Sequence, residues 1–208
     1  MNKKIVYLIR HGEIDNPRNI LYGSNIEMRL ADTGRTQMRN LAKKILKSGN
    51  VPSKIYSSPL QRTIESSNIL GDVWEISDIQ LEEDLKDSYI PALAGKPSSV
   101  LTEIRRKGED EYSEEFVKNG NESRENLAER MFGVYKKSIL EKRGCIAIVS
   151  HGNPILFLLY RIENPDSSKI PNVEKVKKTI PYLHKGYAWK LFLDEKTNLL
   201  SKEIVTPL

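Results

Sequence analysis

Cysteine is almost absent from this sequence, and long apolar runs are absent altogether. Among the 208 residues the one cysteine, Cys145, excludes an internal disulfide; it stands inside a short apolar run, where we expect a buried small hydrophobe. No apolar run is long enough to cross a membrane, and the mean hydropathy of −0.49 is typical of a globular protein in water. The residues before the first apolar run form no signal region, so we expect a cytoplasmic protein.

The charge balance is modestly basic, but the signs of nucleic-acid binding are missing. A total of 33 Lys and Arg residues against 28 Asp and Glu residues gives a net charge of +5. The basic runs at residues 105–107 and 175–178 carry no interleaved aromatic side chains and no nucleic-acid motif. We therefore expect no nucleic-acid partner, whereas a positive field suits a small anionic substrate.

Two short apolar runs end in the same dipeptide. Residues 5–9 are followed by Arg10, His11 and Gly12, and residues 145–150 are followed by His151 and Gly152. Each run is typical of a strand buried on both faces, and ligands of open α/β sheets bind at the carboxyl ends of such strands. If the two strands are neighbours, the sequence places two imidazole groups side by side.

The rest of the chain alternates helical and strand patterns, which predicts an α/β fold with a mostly parallel sheet. We expect one domain over residues 1–208, with a lid-like excursion at about residues 80–121 where the periodicity is weak. Asp32 or Thr33 is expected to cap the first helix, and Ser58, before Pro59, the second. The predicted helices are residues 32–49, 59–70, 122–140 and 155–160; the further strands are 54–57, 73–79, 187–193 and 200–205; residues 162–176 are expected to be a surface connection.

The residues expected at the ends of these strands and helices can form a binding site for a phosphoryl group. Arg10 and Arg62 offer planar guanidinium groups to its oxygens. The helix N-termini expected after Ser58 and Asn153 add backbone N–H groups and a positive dipole. A ring nitrogen of His151 can donate a further hydrogen bond.

His11 is the candidate nucleophile at this site. A neutral imidazole has a free lone pair near pH 7, and surrounding cations favour the neutral form. Attack on phosphorus would give a phosphohistidine. The leaving oxygen then needs a proton from a carboxyl group, whose expected place is the excursion over the site.

Three segments in order resemble the signature segments of the histidine phosphatase superfamily, in its phosphoglycerate mutase-like branch. They are Leu-Ile-Arg-His-Gly-Glu at residues 8–13, Ser-Ser-Pro-Leu-Gln-Arg-Thr at 57–63 and Val-Ser-His-Gly at 149–152, with a fitting turn at 30–34. The resemblance implies a three-layer α/β sandwich, a phosphohistidine intermediate, and neither metal nor other cofactor. It implies His11 as the nucleophile and Arg10, Arg62 and His151 as ligands of the phosphoryl group, with Gly152 as a further phosphate contact.

The sequence departs from the family pattern at two places. Asp87, in Leu85-Lys86-Asp87, takes the place of the usual catalytic glutamate, and Glu83 is the second candidate for the acid. The family often has an asparagine where this chain has Pro17, so Asn16 is the nearest candidate for that phosphate contact.

We expect a phosphomonoesterase that acts on a small phosphorylated metabolite, with neither a membrane nor a nucleic acid as partner. A phosphoglycerate mutase and a catalytically inactive phospholigand-binding module are the alternatives. The three histidines His11, His151 and His184 also allow a metal-dependent hydrolase, although nearby arginines would repel a cation. His184 lies in a turn-like stretch and is expected at the surface; Glu13 could cap locally or contact substrate.

Overall fold

A computed structural model describes residues 4–141 and 144–207 of the chain. The strands are β1 (Lys4–Arg10), β2 (Ile55–Ser57), β3 (Ile79–Leu81), β4 (Cys145–Ser150), β5 (Ala188–Leu193) and β6 (Leu199–Val205). The helices are α1 (Asp32–Lys47), α2 (Gln61–Trp74), α3 (Ser99–Arg106), α4 (Glu114–Lys118), α5 (Arg124–Glu141), α6 (Gly152–Glu163) and α7 (Val173–Lys177), with a 3₁₀ turn at Glu83–Leu85.

The six strands form one sheet in the order β3-β2-β4-β1-β5-β6. The first four strands are parallel, whereas β5 is antiparallel to β1, and β6 is antiparallel to β5. The predicted pairing of the two histidine-bearing strands is confirmed, because β1 lies directly beside β4 with Arg10 opposite Ser150. The next residue on each strand is therefore a histidine at the same edge of the sheet.

Side-chain alternation along β1 explains the three layers. Val6 and Leu8 pack into a core against α5, α6 and α7, whereas Ile5, Tyr7 and Ile9 pack into a second core against α1 and α2. A strand buried on both faces has no polar positions to alternate, which is why the sequence shows an unbroken apolar run. The predicted three-layer α/β sandwich with a mostly parallel sheet is confirmed.

The predicted strand at residues 73–79 is wrong over most of its length. Helix α2 continues to Trp74 and stops at Glu75, which adopts a left-handed conformation with a φ of 57°. Ile76 then donates its N–H group to the carbonyl of Gly71, and the strand begins at Ile79. The buried side chains of Leu70 and Trp74 continue the helical period past the predicted end.

The predicted caps of the first two helices are also wrong. Ala31 is the N-cap of α1 and Leu60 is the N-cap of α2, and neither helix has a side-chain cap hydrogen bond. The carboxylate of Asp32 accepts a hydrogen bond from Arg35 instead. Ser58 lies three residues before α2, so its hydroxyl is available to other groups.

Residues 162–176 are only partly the surface connection that was predicted. They contain most of α7, whose Val173 and Val176 are buried in the core together with Ile170. A single apolar turn at i and i+3 is too short a pattern to distinguish from a loop by periodicity, which is why the sequence did not predict it.

The segment between β3 and α5 packs mainly on the loop that follows β1. The backbone of Leu21 exchanges hydrogen bonds with Gly95 and Lys96. A small apolar cluster of its own holds the two together, formed by Leu21, Ile90, Leu93 and Ile104. The excursion was expected from Gln80, but Gln80 and Leu81 still belong to β3, so the chain leaves the sheet slightly later.

Within residues 4–141 and 144–207, no helix is both long enough and apolar enough to span a membrane.

Candidate active site

The carboxyl ends of β1 and β4 bring His11 and His151 together. Their ring centroids are 5.2 Å apart and the ring planes are tilted by 60°. Both side chains are buried, with 1% of His11 and none of His151 exposed. The structure therefore brings the two imidazoles together, although residues 11 and 151 are far apart in the chain.

The ring of His11 is oriented by its neighbour. Its Nδ1 lies 2.7 Å from the carbonyl oxygen of Gly12, and because a carbonyl only accepts, Nδ1 must carry the proton. The lone pair of the neutral ring is then on Nε2. Burial lowers the pKa of His11 well below its ordinary value, and the nearby charges of Arg62 and Arg10 lower it further.

His151 has both ring nitrogens engaged. Arg62 Nε donates to His151 Nδ1 over 3.2 Å, so Nε2 carries the proton and donates to Ser58 Oγ at 2.9 Å. Burial, followed by the charge of Arg62, lowers the pKa of His151 well below its ordinary value. The hydrogen bond that we expected from His151 to a phosphoryl group is directed to Ser58 in this structure.

Two guanidinium groups flank the imidazoles, and each has a buried nitrogen without a partner among the described residues. Arg10 donates from Nη1 to Leu183 O at 2.7 Å, but its Nε is unpartnered. Arg62 donates from Nη2 to Gly23 O at 2.8 Å, but its Nη1 is unpartnered. A buried, charged donor without an acceptor is unfavourable, so these two atoms indicate a place for an anion.

Asp87 is the carboxylate that the structure places beside this cluster. Its Oδ2 accepts from Arg62 Nη2 at 3.0 Å and lies 3.7 Å from His151 Nδ1, and its Oδ1 accepts from the N–H group of Ser88. Glu83 instead points away from the cluster and pairs with Lys86, with 75% of its side chain exposed. The geometry therefore favours Asp87 over Glu83 as the candidate acid.

A cavity of about 340 Å³ opens in front of the cluster. Arg10, His11 and Asp87 are among the residues that line it, whereas Arg62 and His151 are fully buried and do not line it. Arg105 and Glu111, from the segment between β3 and α5, line the cavity as well. The cavity is large enough for a phosphate ester with a small alcohol.

Gly152 begins α6 beside Arg10, at a position where only glycine fits. A Cβ atom there would overlap the hydroxyl of Tyr182 and lie 3.1 Å from Cζ of Arg10. Arg10 also lies over the Tyr182 ring at 5.0 Å from its centroid. Gly152 thus permits the close approach that positions the Arg10 guanidinium group.

The other candidate residues occupy different environments. Asn16 lines the cavity, but both ends of its amide bond the backbone of Ile20, where it stabilises the loop. The first N–H group of α2, at Gln61, is already bonded to the carboxylate of Glu27, so this group is not available to an anion. His184 is exposed and packs against Tyr187, outside the cavity lining.

Several residues of the site were not found by sequence reasoning. Ser58 was interpreted as a helix cap, yet its hydroxyl contacts His151. Tyr182, Arg105 and Glu111 come from loops or ends of helices and carry no spacing signal, so only the tertiary structure brings them to the cavity.

A metal site has no support in the described part of the chain. Across residues 4–141 and 144–207, no group of three or more His, Cys, Asp or Glu side chains is arranged to hold an ion.

Comparisons with known proteins agree with this geometry. The chain is 23% identical over 192 residues to phosphoglycerate mutase-like protein 4 of Arabidopsis thaliana, covering 89% of this chain and 82% of that protein. It is 24% identical over 229 residues to a 2,3-bisphosphoglycerate-dependent phosphoglycerate mutase of Hydrogenobaculum sp. (strain Y04AAS1), covering 94% and 89%.

A mycobacterial glucosyl-3-phosphoglycerate phosphatase has the same fold, with a TM-score of 0.72, 16% identity and 98% of each chain covered. The family model of the histidine phosphatase superfamily (branch 1) matches residues 6–180, which include His11, Arg62 and His151. That match spans most of the chain and contains the two strand ends that form the cluster, so the chain belongs to the histidine phosphatase superfamily.

Proposed function

We propose that this protein is a metal-independent phosphomonoesterase that hydrolyses a small phosphorylated metabolite through a phosphohistidine at His11. The observation that carries the proposal is the pair of buried, unpartnered guanidinium nitrogens, Arg10 Nε and Arg62 Nη1, beside an imidazole with a free lone pair. Cationic donors and a neutral nucleophile in one pocket are what transfer of a phosphoryl group requires.

In the first step Nε2 of His11 attacks phosphorus while the bond to the ester oxygen breaks. The two guanidinium groups stabilise the negative charge on the phosphoryl oxygens. Asp87, when protonated, donates its proton to the departing alkoxide, which leaves as an alcohol. The hydrogen bond to Gly12 holds the proton on Nδ1 and can stabilise the positive charge that develops on the ring.

In the second step water replaces the alcohol. The carboxylate of Asp87 takes a proton from the water molecule, the oxygen attacks phosphorus, and the bond to Nε2 breaks. Inorganic phosphate and neutral His11 result. One carboxyl group at the cavity wall serves both steps, because the entering oxygen occupies the place that the leaving oxygen vacated.

The names of the curated relatives favour a second candidate, a phosphoglycerate mutase. A mutase would return the phosphoryl group from His11 to a bound phosphoglycerate rather than to water. The two activities are separated by incubating the protein with 3-phosphoglycerate. Phosphorus NMR then measures both the formation of 2-phosphoglycerate and the release of inorganic phosphate. Interconversion that exceeds release would favour the mutase.

The proposal is tested with p-nitrophenyl phosphate, assayed in EDTA. We expect hydrolysis that EDTA leaves unchanged and that His11→Ala lowers by at least about 1,000-fold, because the nucleophile is lost. When the protein is incubated with substrate that carries a radioactive phosphoryl group and then quenched, wild type should retain a label that is stable in base and lost in acid. His11→Ala should retain none. The exposed His184→Ala variant is the matched control.

Hydrolysis that persists in His11→Ala would contradict the phosphohistidine route. An absence of any turnover, together with phosphate binding that depends on His11, would favour the inactive binding module instead. Loss of activity in EDTA that zinc or magnesium restores would favour the metal-dependent hydrolase.

A further inference from the structure

Glu111 is the one acidic side chain at the cavity wall that the proposed mechanism does not use. It lies in the turn between α3 and α4, only 4% of it is exposed, and it is one of the residues that line the cavity. Acidic side chains are rarely buried without a partner, so its surroundings call for an explanation.

Only one of its two carboxylate oxygens is bonded. Oε1 accepts a hydrogen bond from Asn153 Nδ2 at 2.8 Å. Oε2 is buried and has no hydrogen-bond partner among the described residues. Arg105 forms an ion pair with Glu111, with Nη2 3.9 Å from Oε1, which is beyond hydrogen-bond distance.

A hydrogen-bond network fixes the orientation of this carboxylate. Asn153 Nδ2 also lies 2.8 Å from the hydroxyl of Tyr112, and that hydroxyl is in turn paired with Ser88 Oγ. Asn153 follows Gly152 at the start of α6, so the network connects Glu111 to the helix that begins beside Arg10. The unbonded oxygen is therefore held in place rather than free to turn to solvent.

An acceptor held in this way is suited to a donor that arrives with the substrate. Burial raises the pKa of Glu111 above its ordinary value, although its own backbone N–H group and the charge of Arg105 act in the opposite direction, so the carboxylate is poorly solvated. A hydrogen bond to a charged group is stronger than one between neutral groups, and a buried acceptor left unpaired is unfavourable. A substrate that supplies the missing donor would be bound in preference to one that does not.

We propose that Glu111 is a specificity-determining residue whose Oε2 accepts a hydrogen bond from a hydroxyl or ammonium group on the alcohol part of the phosphoester. This inference rests on the proposed function, because it assigns the substrate class of the same cavity. The class consists of phosphate esters of small polyols or amino alcohols. Simple alkyl phosphates lack the donor. A substrate that carries a carboxylate would be disfavoured, because the carboxylate of Glu111 would repel it.

The experiment compares esters that differ only in the donor. Glycerol phosphate is paired with propyl phosphate for the hydroxyl, and ethanolamine phosphate with ethyl phosphate for the ammonium. We expect wild-type kcat/KM to favour the donor-bearing ester of at least one pair by about tenfold or more. In Glu111→Ala that ratio should fall close to one.

A second variant distinguishes loss of the acceptor from loss of the folded structure. In Glu111→Gln the amide oxygen can keep the bond from Asn153, which leaves the NH₂ group in the place of Oε2 and replaces an acceptor by a donor. An ammonium group only donates, so the preference for ethanolamine phosphate should be lost in this variant also, whereas a substrate hydroxyl can accept from the new NH₂ group and keep part of its preference. Glu115→Gln removes a carboxylate from an exposed position in α4 and is the matched control, with the ratio expected to stay at the wild-type value.

Three results would overturn the inference. A wild-type ratio close to one in both pairs, with hydrolysis that still depends on His11, removes the selectivity and leaves the proposed function standing. Equal losses on both members of a pair in Glu111→Ala indicate a role in proton transfer or folding, because both alcohols need protonation equally. Absence of His11-dependent hydrolysis of every ester contradicts the proposed function and this inference together.

Discussion

Asp87 reaches the cluster although aspartate is one methylene shorter than glutamate, because the backbone around it is held close. Arg130 of α5 donates from Nη1 to the carbonyl of Lys86 at 2.8 Å and from Nη2 to the carbonyl of Asp87 at 3.1 Å. Ser150, the last residue of β4, donates to the carbonyl of Leu85 at 2.8 Å. The segment that carries the acid is thus attached both to a helix and to the end of a central strand.

Asp87→Asn keeps the size of the side chain and removes the carboxyl group that can donate an acidic proton. We expect kcat/KM for an alkyl phosphate, which reports the first step, to fall by about 100-fold or more, because general acid catalysis typically contributes that much. The fall should be smaller with p-nitrophenyl phosphate, since nitrophenolate leaves without a proton. Steady-state kinetics on both esters measure the difference.

Glu83→Gln provides the comparison for this prediction, because Glu83 was the second candidate for the acid and is exposed. It should have the activity of wild type on both esters. A larger loss in Glu83→Gln than in Asp87→Asn would mean that Glu83, and not Asp87, donates the proton.

At the scale of elements, the start of α6 positions one half of the anion site. A Cβ atom added at its first residue, Gly152, would lie 2.1 Å from the hydroxyl of Tyr182, which must shift, and 3.1 Å from Cζ of Arg10, which must give way slightly. Overpacking of this kind typically costs about 1–3 kcal/mol. The same residue therefore affects both packing and the placement of the guanidinium group.

Gly152→Ala should lower kcat/KM by about tenfold or more, because the guanidinium group of Arg10 is pushed from its place. In the double variant with Tyr182→Phe, the overlapping hydroxyl is absent, and part of the lost kcat/KM should be recovered. Both values are obtained from phosphate release, with circular dichroism to verify folding.

Gly133 is the matched glycine, since it lies on the exposed side of α5 and a Cβ there would meet nothing within 4 Å. Gly133→Ala should leave the activity unchanged and stabilise the helix by about 0.5–1 kcal/mol. Equal activity in Gly152→Ala and wild type would show that this contact does not position Arg10.

At the scale of the whole molecule, the two buried imidazoles connect the site to stability. The pKa values of His11 and His151 are lowered in the folded protein, mainly by burial, whereas an unfolded chain binds these protons near pH 6.5. Below that pH the unfolded state therefore binds more protons than the folded state, and the free energy of unfolding decreases as the pH falls.

We expect each imidazole to contribute a loss of about 1.4 kcal/mol for each pH unit below about pH 6.5, down to its folded-state pKa. Urea unfolding between about pH 7 and about pH 5 measures the slope. His11→Gln should make the slope shallower, whereas the exposed His184→Gln should not. The same slope in His11→Gln and wild type would mean that His11 is protonated in the folded protein.

The amino-acid sequence by itself was sufficient for the fold class and the family, and it predicted that His11 and His151 would lie close together. The short apolar runs before His11 and His151 are typical of a strand buried on both faces, and their length of five or six residues with a following glycine favours a strand over a helix. The motif segments around Arg62 and His151 carry their information within a few neighbouring residues. Parallel strands end at one edge of a sheet, so the meeting of the two histidines followed from the pairing of their strands.

The tertiary structure alone decided which groups surround that pair. The end of α2 and the turn of α7 depend on packing that periodicity does not encode, and the hydroxyl of Ser58 contacts His151 as well as the N–H group of Leu60. Asp87 is placed by a guanidinium group from α5, and Glu111 enters the cavity from a turn with no pattern of its own. Contacts between segments distant in the chain depend on the packed geometry of several elements at once, and no local stretch of sequence contains that geometry.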